Sequence, residues 1–293
     1  MVKTLRAPAK INLTLEVLGR REDGYHGLRS VMVPLELADS IEVAPSETLA
    51  FACDDESLGG EDNLALRALR ALSSAGLEPR AKVTLRKRVP ARAGLGGGSS
   101  DAAAILLAAM DGAFGPAQTL DWLRIARALG SDVPFFLAGT AALVEGTGER
   151  VTALGALPSW PLLVVKPPAT ISTADAYAAL DRRERRIRPR ADSVSLLCVE
   201  ALQRADYSAV EALISNDFDE LAMEEPAIRR ASDALRSAGA TRPLLAGSGS
   251  CIFALAPDVA TRDAIAQALQ LPPEFTVFAT SFASNAGWRA IGA

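Results

Sequence analysis

The chain has 293 residues, 49% hydrophobic and 23% charged, which predicts one large or two ordinary globular domains and excludes disorder and coiled coils. A net charge of −4, a longest apolar run of 102–110 and no signal-peptide stretch predict a cytoplasmic protein that binds neither nucleic acid nor a membrane. Three scattered cysteines indicate buried free thiols, and the single histidine, His26, excludes a zinc site built on several histidines and predicts no metal site of protein ligands.

Strands and helices follow one another irregularly along the first half of the chain. Apolar residues at every second position predict strands, and apolar residues at helical spacing predict helices. Asp62 and Asn63 precede one such helical pattern as plausible caps. The predicted strands are 11–17, 30–35, 40–44, 82–87 and 141–145, and the predicted helices are 62–75, 102–110 and 120–129.

A cluster of Gly, Pro and Ser at 152–161 marks the predicted domain boundary, which we place between domains 1–155 and 156–293. Strands mixed with blocks of helices, without regular βαβ alternation, favour an α+β fold. Beyond the boundary the pattern predicts a strand at 162–166, helices around 173–180, 194–213 and 226–238, and a strand–helix–strand ending.

Six arginines crowd into residues 181–190. Charge runs of this kind are commonly solvated, so we expect a surface loop, with an anion-binding patch as the alternative.

The most informative stretch is the glycine-rich segment 90–101, which follows a predicted strand and leads into a predicted helix. Its glycines, Gly97 among them, permit positive φ and close approach of a ligand, while a helix N-terminus favours an anion. It lacks the lysine of a Walker A loop and the spacing of a dinucleotide fingerprint. We therefore predict a phosphate loop made of Pro90, Ala91, Arg92, Ala93, Gly94, Leu95, Gly96, Gly97, Gly98, Ser99 and Ser100.

This segment resembles the second motif of the GHMP small-molecule kinases, which act on galactose, homoserine, mevalonate and phosphomevalonate. Residues 7–13 (Ala-Pro-Ala-Lys-Ile-Asn-Leu) resemble the first motif, and residues 245–253 (Leu-Ala-Gly-Ser-Gly-Ser-Cys-Ile-Phe) resemble the third. The resemblance implies a two-domain fold, with an N-terminal layer like domain 2 of ribosomal protein S5 and a C-terminal ferredoxin-like layer. It also implies ATP and Mg²⁺ as cofactors.

Two local features indicate one branch of that superfamily. Residues 21–28 (Arg-Glu-Asp-Gly-Tyr-His-Gly-Leu) and 130–136 (Gly-Ser-Asp-Val-Pro-Phe-Phe) resemble the kinases that phosphorylate the 2-hydroxyl of 4-(cytidine 5'-diphospho)-2-C-methyl-D-erythritol, in the non-mevalonate isoprenoid pathway. The similarity covers about 7–253 and is weakest over 181–238. It implies that Lys10 and Asp132 are the catalytic pair at the acceptor hydroxyl.

The same resemblance assigns the residues that would hold the acceptor. Asn12 would contact the erythritol phosphate or hydroxyls, and Tyr25 and His26 would lie against the cytosine ring. Thr173 and Tyr177 fall where the family closes the cytidine pocket with a threonine and an aromatic residue.

Two other functions stay open at this stage. The first is a different GHMP kinase, such as a mevalonate or homoserine kinase, but the Tyr25-His26 turn argues against it. The second is a binding module without catalytic activity, and the presence of Lys10 and Asp132 argues against that. Asp101 follows the loop, where it would either serve magnesium or favour the helix N-terminus. A monomer and a homodimer are both compatible with the sequence.

Overall fold

Long antiparallel strands dominate the first half of the computed structural model, which describes residues 2–22, 24–115, 119–182 and 193–283. Strand β1 (Lys3–Arg20) pairs along its length with β2 (His26–Pro45), from Lys3 opposite Val43 to Arg20 opposite His26. The predicted strands 30–35 and 40–44 are therefore parts of one strand. The polar interruption between them does not end it, because the side chain of Asp39 is buried and accepts backbone hydrogen bonds.

The other elements follow one another in blocks of strands and blocks of helices. The remaining strands are β3 (Ala50–Cys53), β4 (Ala81–Arg86), β5 (Ala141–Gly146), β6 (Arg150–Gly155), β7 (Pro161–Lys166), β8 (Ser215–Asn216), β9 (Leu244–Leu245), β10 (Ile252–Leu255) and β11 (Thr276–Ser281). The helices are α1 (Leu64–Ser74), α2 (Gly97–Met110), α3 (Trp122–Leu129), α4 (Val133–Ala138), α5 (Thr173–Arg182), α6 (Val194–Gln203), α7 (Tyr207–Leu213), α8 (Asp219–Ala222), α9 (Pro226–Ser237) and α10 (Val259–Ala268).

Two sheets organise the described residues, which confirms the α+β prediction. The larger sheet has the order β3–β4–β2–β1–β8, with β5 also paired to β2 and β6 to β5. The smaller sheet has the order β11–β7–β10–β9 and is antiparallel throughout. The predicted boundary falls in the connection between β6 and β7, whereas β8, from the second half, pairs with β1. The division at 155/156 stays a prediction.

Helix α2 lies inside the first core and carries the phosphate loop at its N-terminus. Almost every residue from Ala102 to Ala109 is buried, so the helix packs on several sides rather than along one stripe. It begins at Gly97, and not at Ala102 as its apolar run predicted, because Gly96 adopts a left-handed conformation just before it. The last part of the glycine segment is therefore helical.

Three further differences from prediction have local causes. The helical region 194–213 is two helices, α6 and α7, separated at Ala205, whose φ is +54°. Asn63, and not Asp62, caps α1, since its side chain accepts from Ala65 N–H. Cys198 and Cys251 are buried free thiols as expected, but Cys53 is only half-buried because it lies on the outer strand β3.

Within the described ranges, no helix has the length and apolar character needed to cross a bilayer.

Candidate active site

A cleft of about 1600 Å³ is lined by residues from all three motifs and from both local features of the sequence. Its lining includes every predicted site residue except Leu95 and Ser100. Leu95 is packed in the core, and the Ser100 hydroxyl is buried without a hydrogen-bond partner among the described residues. The cleft therefore brings together segments that lie more than two hundred residues apart in the chain.

The phosphate loop, residues 90–100, owes its shape to two glycines with positive φ. Gly94 has φ +78°, and a side chain there would collide with the carbonyl oxygen of Ala246. Gly96 has φ +70°, and a Cβ there would lie 3.0 Å from both Lys10 Cγ and the Phe136 ring. Both positions consequently require glycine for conformation as well as for space. Gly97 is helical with ordinary φ, so the expectation of positive φ there is wrong.

The third motif supports the phosphate loop from behind. Cys251 N–H donates to the carbonyl oxygen of Ala93 at 3.1 Å, and the carbonyl of Ala246 fills the space beside Gly94. At the exit of the loop, Ser100 N–H donates to Gly96 O as the first turn of α2 closes. The preceding N–H groups of this turn have no intrahelical acceptor, and the helix dipole adds partial positive charge, so the position suits phosphate oxygens.

Lys10 and Asp132 meet on the wall of the cleft. Lys10 Nζ lies 3.5 Å from Asp132 Oδ2 and donates to Asn12 Oδ1 at 2.8 Å. Asn12 in turn donates through Nδ2 to Ser30 Oγ at 2.7 Å, which fixes its amide. The Lys10 side chain is buried, whereas the Asp132 side chain is 33% exposed towards the cleft.

The position of Asp132 at the start of α4 suggests helix capping as its role. Its backbone occupies the N-cap position, but its carboxylate makes no capping hydrogen bond. Proline follows within the first turn of the helix, so one backbone donor that a cap would satisfy is missing. The carboxylate is therefore free to face Lys10 rather than its own helix.

Aromatic and charged side chains form the other part of the cleft. His26 stacks on Tyr177 at 4.8 Å between ring centroids, and Tyr177 makes an edge contact with Phe218 at 4.9 Å. His26 Nε2 lies 2.8 Å from Asp181 Oδ1, within hydrogen-bonding distance. Burial raises the pKa of Tyr177 to about 12, so its hydroxyl stays neutral. Tyr25 is 68% exposed.

Thr173 lies at the start of α5, where its hydroxyl is 2.9 Å from that of Ser248 in the third motif. This contact joins the helix that carries Tyr177 to the glycine segment behind the phosphate loop.

The sequence did not reveal several lining residues. Asp181 and Phe218 belong to no motif and reach the cleft only through the packing of α5 and α8, while Ser248 lies in the third motif without having been predicted as a site residue. Asp181 opens the arginine-rich run, whose residues 183–190 lie outside the described ranges. Asp101 does not line the cleft and instead pairs with Lys87 at 2.7 Å, so its alternative role as a magnesium ligand finds no support in this geometry.

Comparison with known proteins identifies the family of this chain. The family described as "GHMP kinases N terminal domain" matches residues 63–140, and "GHMP kinases C terminal" matches residues 198–272. A 4-diphosphocytidyl-2-C-methyl-D-erythritol kinase of Deinococcus radiodurans is 42% identical over 90% of this chain and 87% of its own length. The corresponding protein of Pelotomaculum thermopropionicum is 39% identical over 88% of this chain and 91% of its length.

Solved structures show the same relationship. A crystal structure of 4-(cytidine 5'-diphospho)-2C-methyl-D-erythritol kinase superposes with a TM-score of 0.77 at 36% identity, over 96% of this chain and all of that chain. The fold is shared more widely, since a Leishmania major mevalonate kinase has a TM-score of 0.70 at 15% identity, with 96% of both chains covered. The chain therefore belongs to the GHMP kinases and, among them, to the family of the 4-diphosphocytidyl-2-C-methyl-D-erythritol kinases.

Proposed function

We propose that this chain transfers the γ-phosphoryl group of ATP to the 2-hydroxyl of 4-(cytidine 5'-diphospho)-2-C-methyl-D-erythritol. One observation carries the proposal: a single cleft holds a phosphate loop, a buried lysine paired with a carboxylate, and a histidine stacked on an aromatic ring. A phosphate donor, a reacting hydroxyl and a flat base would each find a matching group there.

In this proposal the phosphate loop binds the nucleotide mainly through backbone groups. The first-turn N–H groups of α2 and the dipole of that helix hold phosphate oxygens. Because the glycines leave no side chain between backbone and ligand, the phosphates approach closely. The hydroxyl of Ser99, which lines the cleft, adds a polar contact at the same place.

Lys10 and Asp132 act on the acceptor hydroxyl. Asp132 accepts a hydrogen bond from that hydroxyl and orients it, while the ammonium of Lys10 offsets negative charge on the transferring group. A carboxylate beside an ammonium is a weak base, but phosphoryl transfer depends more on positioning and charge neutralisation than on strong proton abstraction. Asn12, held between Lys10 and Ser30, contributes an aligned amide to the erythritol phosphate or hydroxyls.

Magnesium fits the oxygen donors of this cleft. No cluster of three or more His, Cys, Asp or Glu side chains that could enclose a metal occurs in the described part of the chain. Mg²⁺ commonly uses substrate phosphates, water and one or two protein oxygens, and Ser99 and Asp132 would supply the latter. When bound, the ion neutralises phosphate charge.

The cytidine end of the acceptor lies against Tyr25, His26 and Tyr177 in this proposal. A flat base can stack on the aromatic rings, and the imidazole can hydrogen-bond to the edge of the base. Thr173, tied to Ser248, closes the pocket beside Tyr177.

A cytoplasmic location, independence from nucleic acid and membranes, and a monomeric or homodimeric state complete the proposal. Light scattering coupled to size-exclusion chromatography tests the last of these.

The decisive experiment measures ADP release with ATP and each of three acceptors: the cytidine diphosphate substrate, mevalonate and homoserine. The proposal expects efficient turnover with the first alone. Equal or faster turnover with mevalonate or homoserine would contradict it and would favour another GHMP kinase. ADP release that no acceptor stimulates would favour a binding module.

A further inference from the structure

A buried charge cluster lies beneath the phosphate loop, outside the cleft. Lys87 Nζ lies 2.5 Å from Asp39 Oδ2 and 2.7 Å from Asp101 Oδ2. The side chain of Asp39 is fully buried, that of Asp101 is 3% exposed and that of Lys87 is 10% exposed. We call these three residues the lysine brace.

The lysine brace joins three elements at the two ends of the phosphate loop. Asp39 lies on β2, Lys87 directly follows β4, and Asp101 lies in α2. Through Oδ1, Asp39 also accepts from the N–H groups of Arg88 and Val89, which lead into the loop, at 2.5 and 2.8 Å. The chain is thus fixed just before the loop and again just after it.

The ammonium also lies close to the first helical residue of the loop. A Cβ built on Gly97 would be 3.4 Å from Lys87 Nζ and 2.9 Å from Val89 Cγ1. The ammonium of Lys87 therefore lies beside the place where the N–H groups of α2 begin.

The arrangement is poorly explained by stability alone. Two buried carboxylates share one lysine, and Asp101 Oδ1 has no hydrogen-bond partner within the described residues. Burial raises the pKa of Asp101, against the attraction of Lys87. Apolar residues of similar volume commonly stabilise a protein as well as or better than a buried ion pair. A role in setting geometry accounts for such a cluster.

We propose that Lys87 is a positioning residue for nucleotide binding: with Asp39 and Asp101 it holds both ends of the phosphate loop in the shape that receives the triphosphate. The inference rests on the proposed function only in taking ATP as the nucleotide, and it is independent of the acceptor. Lys87 touches no substrate and acts through the backbone of the loop.

The test compares Lys87→Met with the wild type by calorimetry of ATP binding and by steady-state kinetics. Methionine keeps the length and volume of the stem but removes the charge, and Asp101 then takes up a proton. We expect the Kd and KM for ATP to rise about tenfold or more, because small displacements of positioning groups have large effects. The KM for the acceptor should stay within about twofold. Lys87→Arg should restore most of the ATP affinity.

Glu16→Gln is the matched control. Glu16 is another buried carboxylate, bonded to Ser193 Oγ and Ser195 N–H and absent from the cleft lining. This variant should lose stability without a change in ATP affinity.

Unchanged ATP affinity in folded Lys87→Met would overturn the proposal. So would an equal rise of the KM values for ATP and acceptor, because that pattern marks general destabilisation. If Lys87→Met does not fold, Asp101→Asn decides. This isosteric change keeps a hydrogen bond to Lys87 but removes the charge, and it should raise the Kd for ATP about threefold or more, whereas an unchanged Kd would refute the brace. Because calorimetry needs no acceptor, failure of the proposed acceptor leaves this test intact.

Discussion

In the proposed function, the two ends of the cleft recognise their ligands by different means. At the nucleotide end, residues 90–100 and 246–250, the shape of the backbone is fixed by Gly94 and Gly96 and supported by buried charges. At the acceptor end, side chains form the surface: His26 stacks on Tyr177 and lies within hydrogen-bonding distance of Asp181, and Tyr25 is exposed. Lys10 belongs to both, since its backbone binds Leu95 while its side chain faces Asp132.

Because of this difference, the two ends discriminate between ligands on different features. A backbone cradle recognises the shape and charge of phosphates, which every nucleotide triphosphate shares. Side chains that hydrogen-bond to a base distinguish one base from another, because a mismatch leaves buried polar groups unpaired. Substrate choice should therefore reside at the acceptor end, and catalytic geometry where the two ends meet.

The largest expected effect changes the base of the acceptor. Uracil presents an N–H and a carbonyl where cytosine presents ring nitrogen 3 and an amino group, so both hydrogen bonds from the Tyr25-His26 turn would be mismatched. Each unpaired group costs about 1–3 kcal/mol. The uridine analogue should thus show a kcat/KM about 10²–10⁴-fold lower, measured by steady-state kinetics with both nucleotides.

His26→Ala sharpens this comparison. This variant should have a lower kcat/KM for the cytidine substrate and a smaller difference in kcat/KM between the cytidine and uridine substrates. Its KM for ATP should stay within about twofold of the wild-type value. Comparable kcat/KM for the two bases in the wild type would remove the turn from base recognition.

The next effect concerns the junction of the two ends. Lys10→Met and Asp132→Asn should each lower kcat by roughly 10²-fold or more, since each removes a charge aligned with the reacting groups. ATP affinity should change little, because the loop backbone is untouched. Rapid-quench or steady-state ADP release measures kcat, and calorimetry measures ATP binding. Near-normal kcat in either variant would exclude that residue from the mechanism.

A smaller effect is expected at the loop itself. Gly96→Ala introduces a Cβ 3.0 Å from Lys10 Cγ and the Phe136 ring at a φ of +70°, so the loop must shift. We expect the KM for ATP to rise about tenfold, with base discrimination preserved. Gly76→Ala is the control: its φ of +88° carries similar strain, but nothing lies within 4 Å of the added atom and the residue is outside the cleft. A raised KM for ATP in both variants would show that backbone strain, and not the geometry of the phosphate loop, causes the effect.

The nucleotide end was the more predictable from sequence, for a physical reason. Glycine spacing, two serines and a following apolar run encode a loop and a helix locally, so residues 90–100 could be named in advance. What remained hidden was where the helix begins, because Gly97 and Gly98 are poor helix formers that only tertiary packing places in α2. Within residues 90–100 the positive φ values belong instead to Arg92, Gly94 and Gly96.

The acceptor end and the lysine brace depend on contacts between distant residues. The Tyr25-His26 turn was identified through resemblance, yet its partner Asp181 lies 155 positions away along the chain. Lys87 and Asp39 looked like ordinary polar residues beside strands, and only the pairing of β2 with β4 and the burial of α2 bring them to Asp101. Periodicity describes local structure and carries no information about such partners.

The last prediction concerns the pH dependence of stability and has the smallest expected effect on the reaction. It follows from the raised pKa of Asp101. Burial raises it from 3.8 to about 7, with Lys87 opposing the shift and Asp39 adding to it. A carboxyl whose pKa is higher in the folded state holds its proton better there. Its contribution to the free energy of unfolding is therefore fully present below about pH 4 and is lost as the pH rises through 7.

Asp101→Asn removes this titration, so urea unfolding of both proteins at several pH values between 4 and 8 measures it. We expect the stability of the wild type, relative to Asp101→Asn, to fall as the pH rises, with a slope of at most about 1.4 kcal/mol per pH unit for one proton. The difference between the two proteins cancels other titrating groups, among them Glu16, whose pKa is lowered by its hydrogen bonds to Ser193 and Ser195 against the effect of burial. A parallel pH dependence in both proteins would contradict a buried Asp101 that holds its proton.

The wild type can also be compared with itself across pH. If it loses stability above pH 7 but keeps its ATP affinity, the ionised pair of Asp101 and Lys87 sets the geometry of the nucleotide end at a cost in folding free energy. The exposed acceptor end, where Tyr25 faces solvent, carries no comparable buried charge cluster in the described residues.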